Sequence, residues 1–192
     1  MKVVYEAGDD NLAKVYIGRF PGGKYIEFVE SVQPPFPKEK KFVLIVSTLF
    51  GCPVGCLICD AGRKYNGKLT ADEIFGQIDF LVDKNFKNRN IKVDKFKIQF
   101  SRMGEPALNN SVLDVLESFN RRYNAPGFIP SISSIAPAGS DDFFKKLKEI
   151  KDSLYNKGNF QLQFSIHTTD ELLRDKMIPI KKWDFKKIAD YG

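Results

Sequence analysis

Apolar segments with strand character alternate with amphipathic helical segments along most of this chain. Four short runs rich in β-branched and aromatic residues predict strands at 42–47, 95–101, 128–135 and 160–167, the third interrupted by Pro130. Helical patterns follow them at 70–84, 110–121, 141–155 and from residue 170 onwards. The first helix begins with Thr70 and Glu73, which have the spacing of a capping box. These repeats predict an α/β fold with a parallel sheet and right-handed crossovers.

The first forty residues have a different pattern. Residues 13–19 and 24–30 alternate apolar and polar side chains, and the Pro-Gly-Gly turn at 21–23 between them predicts a β-hairpin. Prolines between residues 34 and 37 then mark a stiff linker. We therefore predict a hairpin appendage with a Pro-rich linker at 1–40 and an α/β core at 41–192.

The core is short for a closed barrel. A complete (β/α) barrel takes about 250 residues, whereas this chain has 192 and about four strand–helix units. Half of a barrel leaves an open strand edge and an uncovered apolar interior. We therefore expect a fragment, a truncated reading frame, or a partner that completes the sheet.

All three cysteines of the chain lie in one eight-residue run, CPVGCLIC, as Cys52, Cys56 and Cys59. Iron–sulfur clusters are normally held by four thiolates, so three on one loop predict a [4Fe–4S] cluster with one open iron that binds a small molecule. Two alternatives remain. A disulfide would leave an odd thiol, and a zinc site would need a fourth ligand, for which the sequence offers only the distant His167.

Composition and charge limit the kinds of protein that this chain can be. The hydrophobic content of 43% suffices for a core. The net charge of +6 favours an anionic partner such as nucleic acid, although many lysines have the spacing of an ordinary solvated helix face. The longest apolar runs, at 42–46 and 80–82, are too short to cross a membrane. Because the first residues lead directly into charged ones without a signal peptide, we predict a cytoplasmic protein without a membrane partner.

Polar, glycine-bearing segments lie at the ends of the predicted strands. The cysteine loop follows the first strand, residues 103–106 follow the second, and serines or His167 close the third and fourth. In parallel α/β folds, chemistry gathers at the carboxyl ends of the strands. Core packing would not place polar segments at four successive strand ends, so we predict a functional site at this edge.

The C-x3-C-x2-C spacing after the first strand is the signature of the radical S-adenosylmethionine (SAM) superfamily. The segments STLFGC at 47–52, MGEPALN at 103–109, SIHTTDELLRD at 165–175 and IPI at 178–180 resemble one branch of it. That branch comprises the ribosomal and transfer RNA adenine-C2 methyltransferases and their relatives, the chloramphenicol–florfenicol resistance methyltransferases. The resemblance extends from about residue 13 to residue 182. It implies a partial (β/α) barrel of radical SAM type, preceded by a small β-hairpin.

The resemblance implies roles for individual residues. Cys52, Cys56 and Cys59 would ligate the cluster, whose fourth iron would take the amino and carboxylate groups of SAM. Gly104 and Glu105 resemble the motif that meets the amino group, since Gly permits close backbone approach and a carboxylate pairs with an ammonium. The remaining implied residues are the SAM contacts Ser131, Ser165, Ile166 and His167 and the proton acceptor Glu27. Glu105 has a second interpretation as a helix cap, and Glu27 as a solvated charge.

The chain also departs from the branch. The family's methyl-carrying cysteine belongs to a C-terminal region that this sequence does not contain, and an N-terminal helical RNA-binding domain is likewise absent from it. Ile45 occupies the position of a second family cysteine, seven residues before the cluster motif. Arg102 stands before Met103 where the family commonly has Gly, which brings a charge to the rim of the site. These departures concern RNA methylation and leave the cluster and SAM chemistry intact.

We therefore predict a radical SAM enzyme that binds a [4Fe–4S] cluster and reductively cleaves SAM, related to RNA adenine-C2 methylation. The implied partners are a ribosomal or transfer RNA substrate and an electron donor such as flavodoxin or ferredoxin. Two alternatives stay open, a radical SAM enzyme that acts on a peptide or small molecule, and a degenerate, non-catalytic half-barrel.

Overall fold

The computed structural model describes residues 1–192, apart from the side chain of Arg63, and it contains one seven-stranded sheet. The strands follow one another across the sheet in the order of the sequence. They are β1 (Lys2–Asp9), β2 (Ala13–Phe20), β3 (Lys24–Val32), β4 (Lys41–Val46), β5 (Lys95–Phe100), β6 (Phe128–Ser134) and β7 (Gln161–Phe164).

The sheet has an antiparallel half and a parallel half. β1 to β4 pair antiparallel with their neighbours, and β4 to β7 pair parallel. The predicted hairpin and the predicted parallel strands are present. Pro130 does not interrupt β6, which continues through it, and the pairing of β6 with β7 begins at the next residue, Ser131. β1 was not predicted from the sequence. Since β3 pairs with β4, the hairpin and the parallel strands belong to one sheet, and the division into an appendage and a core stays a prediction.

The helices lie in the connections between the parallel strands and after β7. They are α1 (Ala71–Asn85), α2 (Ser111–Arg122), α3 (Asp141–Leu154), α4 (Glu171–Met177) and α5 (Phe185–Tyr191). The predicted capping box is present on α1, where the Thr70 hydroxyl accepts from the amide of Glu73 and the Glu73 carboxylate accepts from the amide of Thr70. The sequence analysis did not identify α5. None of the helices described for this chain has the length and apolar character that a membrane span requires.

The main core lies between one face of the sheet and the helices. Alternate side chains of β4, Phe42, Leu44 and Val46, are fully buried there, together with apolar residues of α1, α2 and α3. Alternation along a strand sends the intervening side chains to the opposite face. On that face Val43 and Ser131 are fully buried and Lys97 is half-buried, while Lys95, at the amino end of β5, is exposed. The fold is therefore α/β with helices on one side of the sheet.

Candidate functional site

Loops after four neighbouring strands meet at one edge of the sheet. Because β4 to β7 are parallel, their carboxyl ends share this edge, and the loops enclose a cavity of about 330 Å³. Small-molecule sites typically occupy about 300–1,000 Å³. The cavity is lined by Cys52, Val54, Cys56, Ile58, Cys59, Ala61, Ser101, Arg102, Gly104, Glu105, Ser133, Ile135, Ser165 and His167. Of the residues that the sequence singled out, the three cysteines, both members of the Gly-Glu pair, Ser165 and His167 line this one cavity.

The cysteine loop follows β4 and is held by backbone hydrogen bonds. Gly51 has a φ of 77°, and a Cβ at this position would lie 1.9 Å from the carbonyl oxygen of Lys64, so only glycine fits this close crossing. The amide of Cys52 donates to the carbonyl of Ala61 at 2.8 Å, and the amide of Leu57 donates to the carbonyl of Met177 at 2.9 Å. The loop is therefore anchored at its base and to the end of α4.

The three cysteines carry free thiols that differ in burial. Cys52 and Cys56 are partly buried and Cys59 is exposed. Burial raises the pKa of the Cys52 thiol to about 11, and burial with the neighbouring Cys59 raises that of Cys56. Among the described side chains, no group of three or more His, Cys, Asp or Glu is arranged to hold a metal ion. An iron–sulfur cube binds each thiolate at a different iron atom, so its ligands need not converge on one point.

Gly104 brings the turn after β5 against the loop after β4. Its φ is 103°, and a Cβ there would lie 2.5 Å from Cγ and 2.8 Å from the amide nitrogen of Leu49. The carbonyl of Met103 accepts hydrogen bonds from the amides of Thr48 and Leu49 at 2.8 and 3.1 Å. Glycine at this position therefore lets the turn after β5 pack directly against Leu49, where a side chain would not fit.

The Glu105 carboxylate is buried and hydrogen-bonded within the protein. One oxygen accepts from the amide of Ala107 at 3.0 Å and from the hydroxyl of Ser134 at 2.6 Å, and the other accepts from the amide of Ile135 at 3.0 Å. Burial raises the pKa of the Glu105 carboxyl above its usual value, although these three hydrogen bonds favour the ionised form. Glu105 therefore caps the short 3-10 helix Pro106–Leu108, joins the loops after β5 and β6, and also lines the cavity.

The end of β7 supplies the opposite wall. Ser165 donates its backbone amide to the carbonyl of Ser134 at 2.8 Å, and His167 lies beyond it with a φ of 64° in the left-handed region. Ser131 and Ile166 are not part of the cavity lining. The Ser131 hydroxyl is buried and has no hydrogen-bond partner among the described residues. Ser133, two residues further along β6, lines the cavity instead.

Glu27 and Arg102 form an ion pair beside the cavity. Both Nε and Nη2 of Arg102 donate to Oε2 of Glu27, at 3.0 and 2.7 Å. Arg102 belongs to the cavity lining, whereas Glu27 does not. Each side chain is about two-fifths exposed, so both are accessible from solvent.

The segment after α4 packs against the cysteine loop. Val54, Ile135 and Ile178 are buried in a small apolar cluster that Cys52 and Cys56 also contact. Arg174, four residues before Ile178, is buried. Its guanidinium donates to the carbonyl of Trp183 at 2.9 Å, while Asp175 pairs with Lys182 instead. Arg174 thus holds the chain that covers the cysteine loop.

Sequence reasoning did not assign Ser133 or Ile135 to the lining, whereas Arg102, which was expected to bring a charge to the rim, does line the cavity. Ser133 shares a face of β6 with Ser131, so strand periodicity favours the two equally, but Ser133 lies nearer the carboxyl end of the strand, where the cavity is. Arg102 was noticed as an unexpected charge, but its pairing with a residue 75 positions away is invisible in local sequence.

Comparisons with known proteins bear on the family. No protein-family model matches the chain. The chain is 30% identical, over 80% of its length, to the probable dual-specificity RNA methyltransferase RlmN of Prochlorococcus marinus (strain MIT 9515), of which it covers 42%. It is 31% identical to the protein of the same name from Chlorobaculum tepidum, with 80% and 39% of the two chains aligned. The chain thus spans less than half the length of these curated relatives.

The fold has a counterpart among solved structures. A radical SAM methyltransferase from Sphaerobacter thermophilus superposes with a TM-score of 0.71, covering 93% of this chain and 49% of that protein at 21% identity. This likeness shows that the two proteins share a fold, and the predicted partial barrel of radical SAM type is confirmed. Together with the sequence relatives, it confirms that this chain resembles the radical SAM RNA methyltransferases over somewhat less than half of their length.

Proposed function

We propose that this chain binds a [4Fe–4S] cluster through Cys52, Cys56 and Cys59 and binds SAM in the adjoining cavity, where SAM is reductively cleaved. The observation that carries the proposal is that three free thiols and the Gly104–Glu105 turn line one cavity at the carboxyl ends of parallel strands. A single cavity can hold the cluster and its small-molecule ligand side by side.

The donor set fits such a cluster. Thiolates are the usual ligands of iron–sulfur clusters, and the partly buried positions of Cys52 and Cys56 would shield the bound group from water. Three ligands leave one iron without a protein side chain. When bound and reduced, the cluster supplies the electron that splits the sulfonium of SAM into methionine and a 5′-deoxyadenosyl radical.

The protein's own residues bind and orient SAM. Gly104 would contribute through its backbone, because its packing against Leu49 places the turn after β5 in the cavity wall. Glu105 holds the loops after β5 and β6 in place and lines the cavity, where its carboxylate would pair with an ammonium group. Ser165 and His167 offer hydrogen-bonding groups from the opposite wall. Ser131 of β6 and Ile166, which lies between Ser165 and His167 after β7, are further proposed contacts, although neither lines the cavity.

The proposed substrate is RNA and the proposed reaction is related to methylation of adenine at C2. The relatives are named as RNA methyltransferases, and the net charge of +6 suits an anionic substrate. Glu27 is the proposed proton acceptor, held by Arg102 beside the cavity. Because all three cysteines are assigned to the cluster, a methyl carrier must come from outside these residues. A cytoplasmic electron donor of the flavodoxin or ferredoxin type would complete the system.

Anaerobic reconstitution with iron and sulfide tests the proposal. We expect a coloured protein with about four irons per chain that forms 5′-deoxyadenosine from SAM in the presence of dithionite. Cys56→Ala should lose both the colour and the product. Leu57→Ala is the matched control, because its side chain lies in the same loop, is 74% exposed and does not line the cavity.

The opposite results would be decisive. A protein that stays colourless and indifferent to SAM after reconstitution would support a non-catalytic half-barrel. Product formation by Cys56→Ala at the unchanged rate would refute the assigned cluster site. Mass spectrometry of RNA for 2-methyladenine then separates RNA methylation from radical chemistry on a peptide or small molecule.

A further inference from the structure

Arg102 is the one side chain with a permanent positive charge among the described residues that line the cavity. The other ionisable groups of the lining are the three cysteines, Glu105 and His167. A carboxylate repels an anionic substrate, whereas a guanidinium attracts it and matches the geometry of a phosphate group. The charge of Arg102 therefore bears on what the cavity accepts beside SAM.

The ion pair of Arg102 with Glu27 starts from backbone positions that hydrogen bonds hold in place. The amide of Arg102 donates to the carbonyl of Val46 at 3.1 Å. The Ser47 hydroxyl accepts from the amide of Met103 at 3.1 Å and donates to the carbonyl of Glu27. Since these bonds join β3, β4 and the turn after β5, Arg102 can change its partner by rotation of its side chain, without movement of the strands.

This ion pair is of a kind that exchanges partners at low cost. Nε and Nη2 of Arg102 both donate to one oxygen of Glu27, Oε2, so the guanidinium keeps further N–H donors for a ligand. The two side chains are 39% and 42% exposed, and ion pairs with such exposure contribute little to stability. Arginine binds a phosphate through two parallel hydrogen bonds to different oxygens, which is a stronger arrangement. An incoming phosphate can therefore displace the Glu27 carboxylate.

The direction of the Arg102 side chain separates it from the groups assigned to SAM. Glu105 extends towards β6, because its carboxylate accepts from Ser134 and Ile135 at the end of that strand. Arg102 extends the other way, towards β3, where its partner Glu27 lies. Since β4 and β5 stand between β3 and β6 in the sheet, the two side chains belong to different sides of the cavity. An anionic group on Arg102 would then lie beside SAM and would not be part of it.

We infer that Arg102 binds a phosphate of the RNA substrate and that this contact releases the carboxylate of Glu27. This inference rests on the proposed function and adds a substrate-recognising residue to it. Without substrate, Arg102 holds Glu27. When a phosphate takes the place of Glu27 on the guanidinium, the carboxylate becomes available for its proposed role as proton acceptor. Binding of the substrate thus sets the acceptor free.

The test measures binding of a fluorescent single-stranded RNA of about ten nucleotides to the full chain by anisotropy, at several salt concentrations. Arg102→Gln should weaken binding about tenfold, since it removes charge-assisted hydrogen bonds to a phosphate. It should also reduce the magnitude of the slope of log affinity against log salt by about 0.7, the contribution of one phosphate contact in a single strand. Glu27→Gln should strengthen binding about threefold, because the RNA no longer competes with an exposed ion pair.

The double variant separates an exchange of partners from a simple change of charge. If Glu27 acts by competing for Arg102, Glu27→Gln has no effect once Arg102→Gln is present, whereas two independent charges would add their effects. The double variant should therefore bind RNA as weakly as Arg102→Gln alone. Lys40→Gln and Asp94→Asn are the matched controls, because Lys40 and Asp94 form an exposed ion pair of 2.8 Å beside the amino ends of β4 and β5, away from the cavity. Both should bind RNA like the parent chain.

A second measurement distinguishes the substrate from SAM, whose carboxylate is also an anion. Equilibrium dialysis of SAM against the reconstituted chain should give the same affinity for Arg102→Gln and the parent, because Arg102 lies on the other side of the cavity from Glu105. A loss of SAM affinity in Arg102→Gln would assign Arg102 to the carboxylate of SAM and overturn the inference. Thermal unfolding of every variant checks that the fold is intact.

The RNA measurements can also overturn the inference. They do so if the parent chain binds no RNA, if Arg102→Gln leaves RNA binding unchanged, if Glu27→Gln gives no gain, or if that gain persists in the double variant. RNA binding is measured without a reductant and without SAM. The expected changes in RNA binding without formation of 5′-deoxyadenosine would therefore reject the proposed SAM cleavage alone. Formation of 5′-deoxyadenosine by a chain whose RNA binding does not depend on Arg102 would reject this inference alone.

Discussion

At the scale of single residues, Glu105 is a helix cap, as one interpretation of its sequence context suggested, and its role towards SAM stays a prediction. Its carboxylate caps the short helix that Pro106 begins, and the same carboxylate borders the cavity. The cap could be predicted from local sequence, because it links Glu105 to a residue two positions later. The bonds from Ser134 and Ile135 come from another strand, and no local pattern indicates them.

Gly104→Ala tests the close approach of the turn after β5. We expect a loss of about 1–3 kcal/mol in the free energy of unfolding and weaker SAM binding, because the new Cβ would overlap Leu49. Urea denaturation and equilibrium dialysis with SAM measure the two effects. Gly139→Ala is the matched control, since Gly139 also has a positive φ, of 84°, but a Cβ at this position would have no neighbour within 4 Å. Equal losses in both variants would contradict the role of the Leu49 contact.

At the scale of elements, local sequence accounts for most of what is observed. The capping box on α1 and the amphipathic patterns of α2 and α3 each involve residues within one or two turns of one another. β1 and α5 were missed. β1 is exposed along almost its whole length and so lacks the alternating pattern of a half-buried strand, while α5 has only seven residues, with Ile188 buried.

Thr70→Ala tests the capping box of α1. We expect a loss of about 1 kcal/mol in the free energy of unfolding, because the amide of Glu73 loses its acceptor at the helix start. Chemical denaturation followed by circular dichroism measures it. Asn110→Ala is the comparison, since Asn110 precedes α2 but its side chain makes no capping hydrogen bond. If Asn110→Ala lowered the free energy of unfolding as much as Thr70→Ala does, the type of residue at the helix start would be responsible, and not the capping hydrogen bond.

At the scale of the whole molecule, buried polar contacts join the hairpin to the first helix of the parallel half. Glu30 of β3 accepts hydrogen bonds from Tyr16 of β2 and from Lys84 and Asn85 of α1. Burial raises the pKa of the Glu30 carboxyl, but these hydrogen bonds outweigh it, and the pKa lies below its usual value. This group connects two parts of the chain that the sequence separates into different units.

Glu30→Gln should therefore destabilise the whole sheet at neutral pH, because it removes the charged acceptor of these hydrogen bonds. We expect the free energy of unfolding to fall by about 1–3 kcal/mol. The loss stays in this modest range because Lys84 is one-third exposed and water partly replaces its partner. A carboxyl whose pKa is lowered by folding stabilises the protein above the pKa of the unfolded chain, near 4.5, and this contribution disappears as the pH falls through the folded pKa. The difference in the free energy of unfolding between Glu30→Gln and the parent protein should thus shrink below pH 4.5. Urea denaturation at pH 7 and in acid measures it.

The control for this pH dependence is Glu39→Gln, which changes an exposed carboxylate in the linker and should have little effect. Trp183 fluorescence reports on the parallel half, while Glu30 lies in the hairpin. A loss of stability seen by this probe supports one cooperative unit. If the stability difference between Glu30→Gln and the parent protein stayed constant into acid, it would contradict the link between Glu30 ionisation and folding. An unfolding transition of Trp183 that Glu30→Gln leaves unchanged would support the predicted division at residue 40.

The sequence by itself determined the strand–helix alternation, the cysteine loop and the edge of the sheet at which polar groups collect. These features depend on periodicity and spacing between near neighbours, which the order of residues expresses directly. The position of the Cys52 loop at a strand end followed from the parallel arrangement alone. The same local information correctly indicated the hairpin turn.

Only the tertiary structure decided which residues from distant segments meet. The ion pair of Glu27 with Arg102, the burial of Arg174 and the place of Ser133 at the cavity all depend on how β3, β5, β6 and α4 register against one another. Register and sheet curvature arise from the packing of the whole core, because each strand can satisfy its own periodicity in more than one alignment.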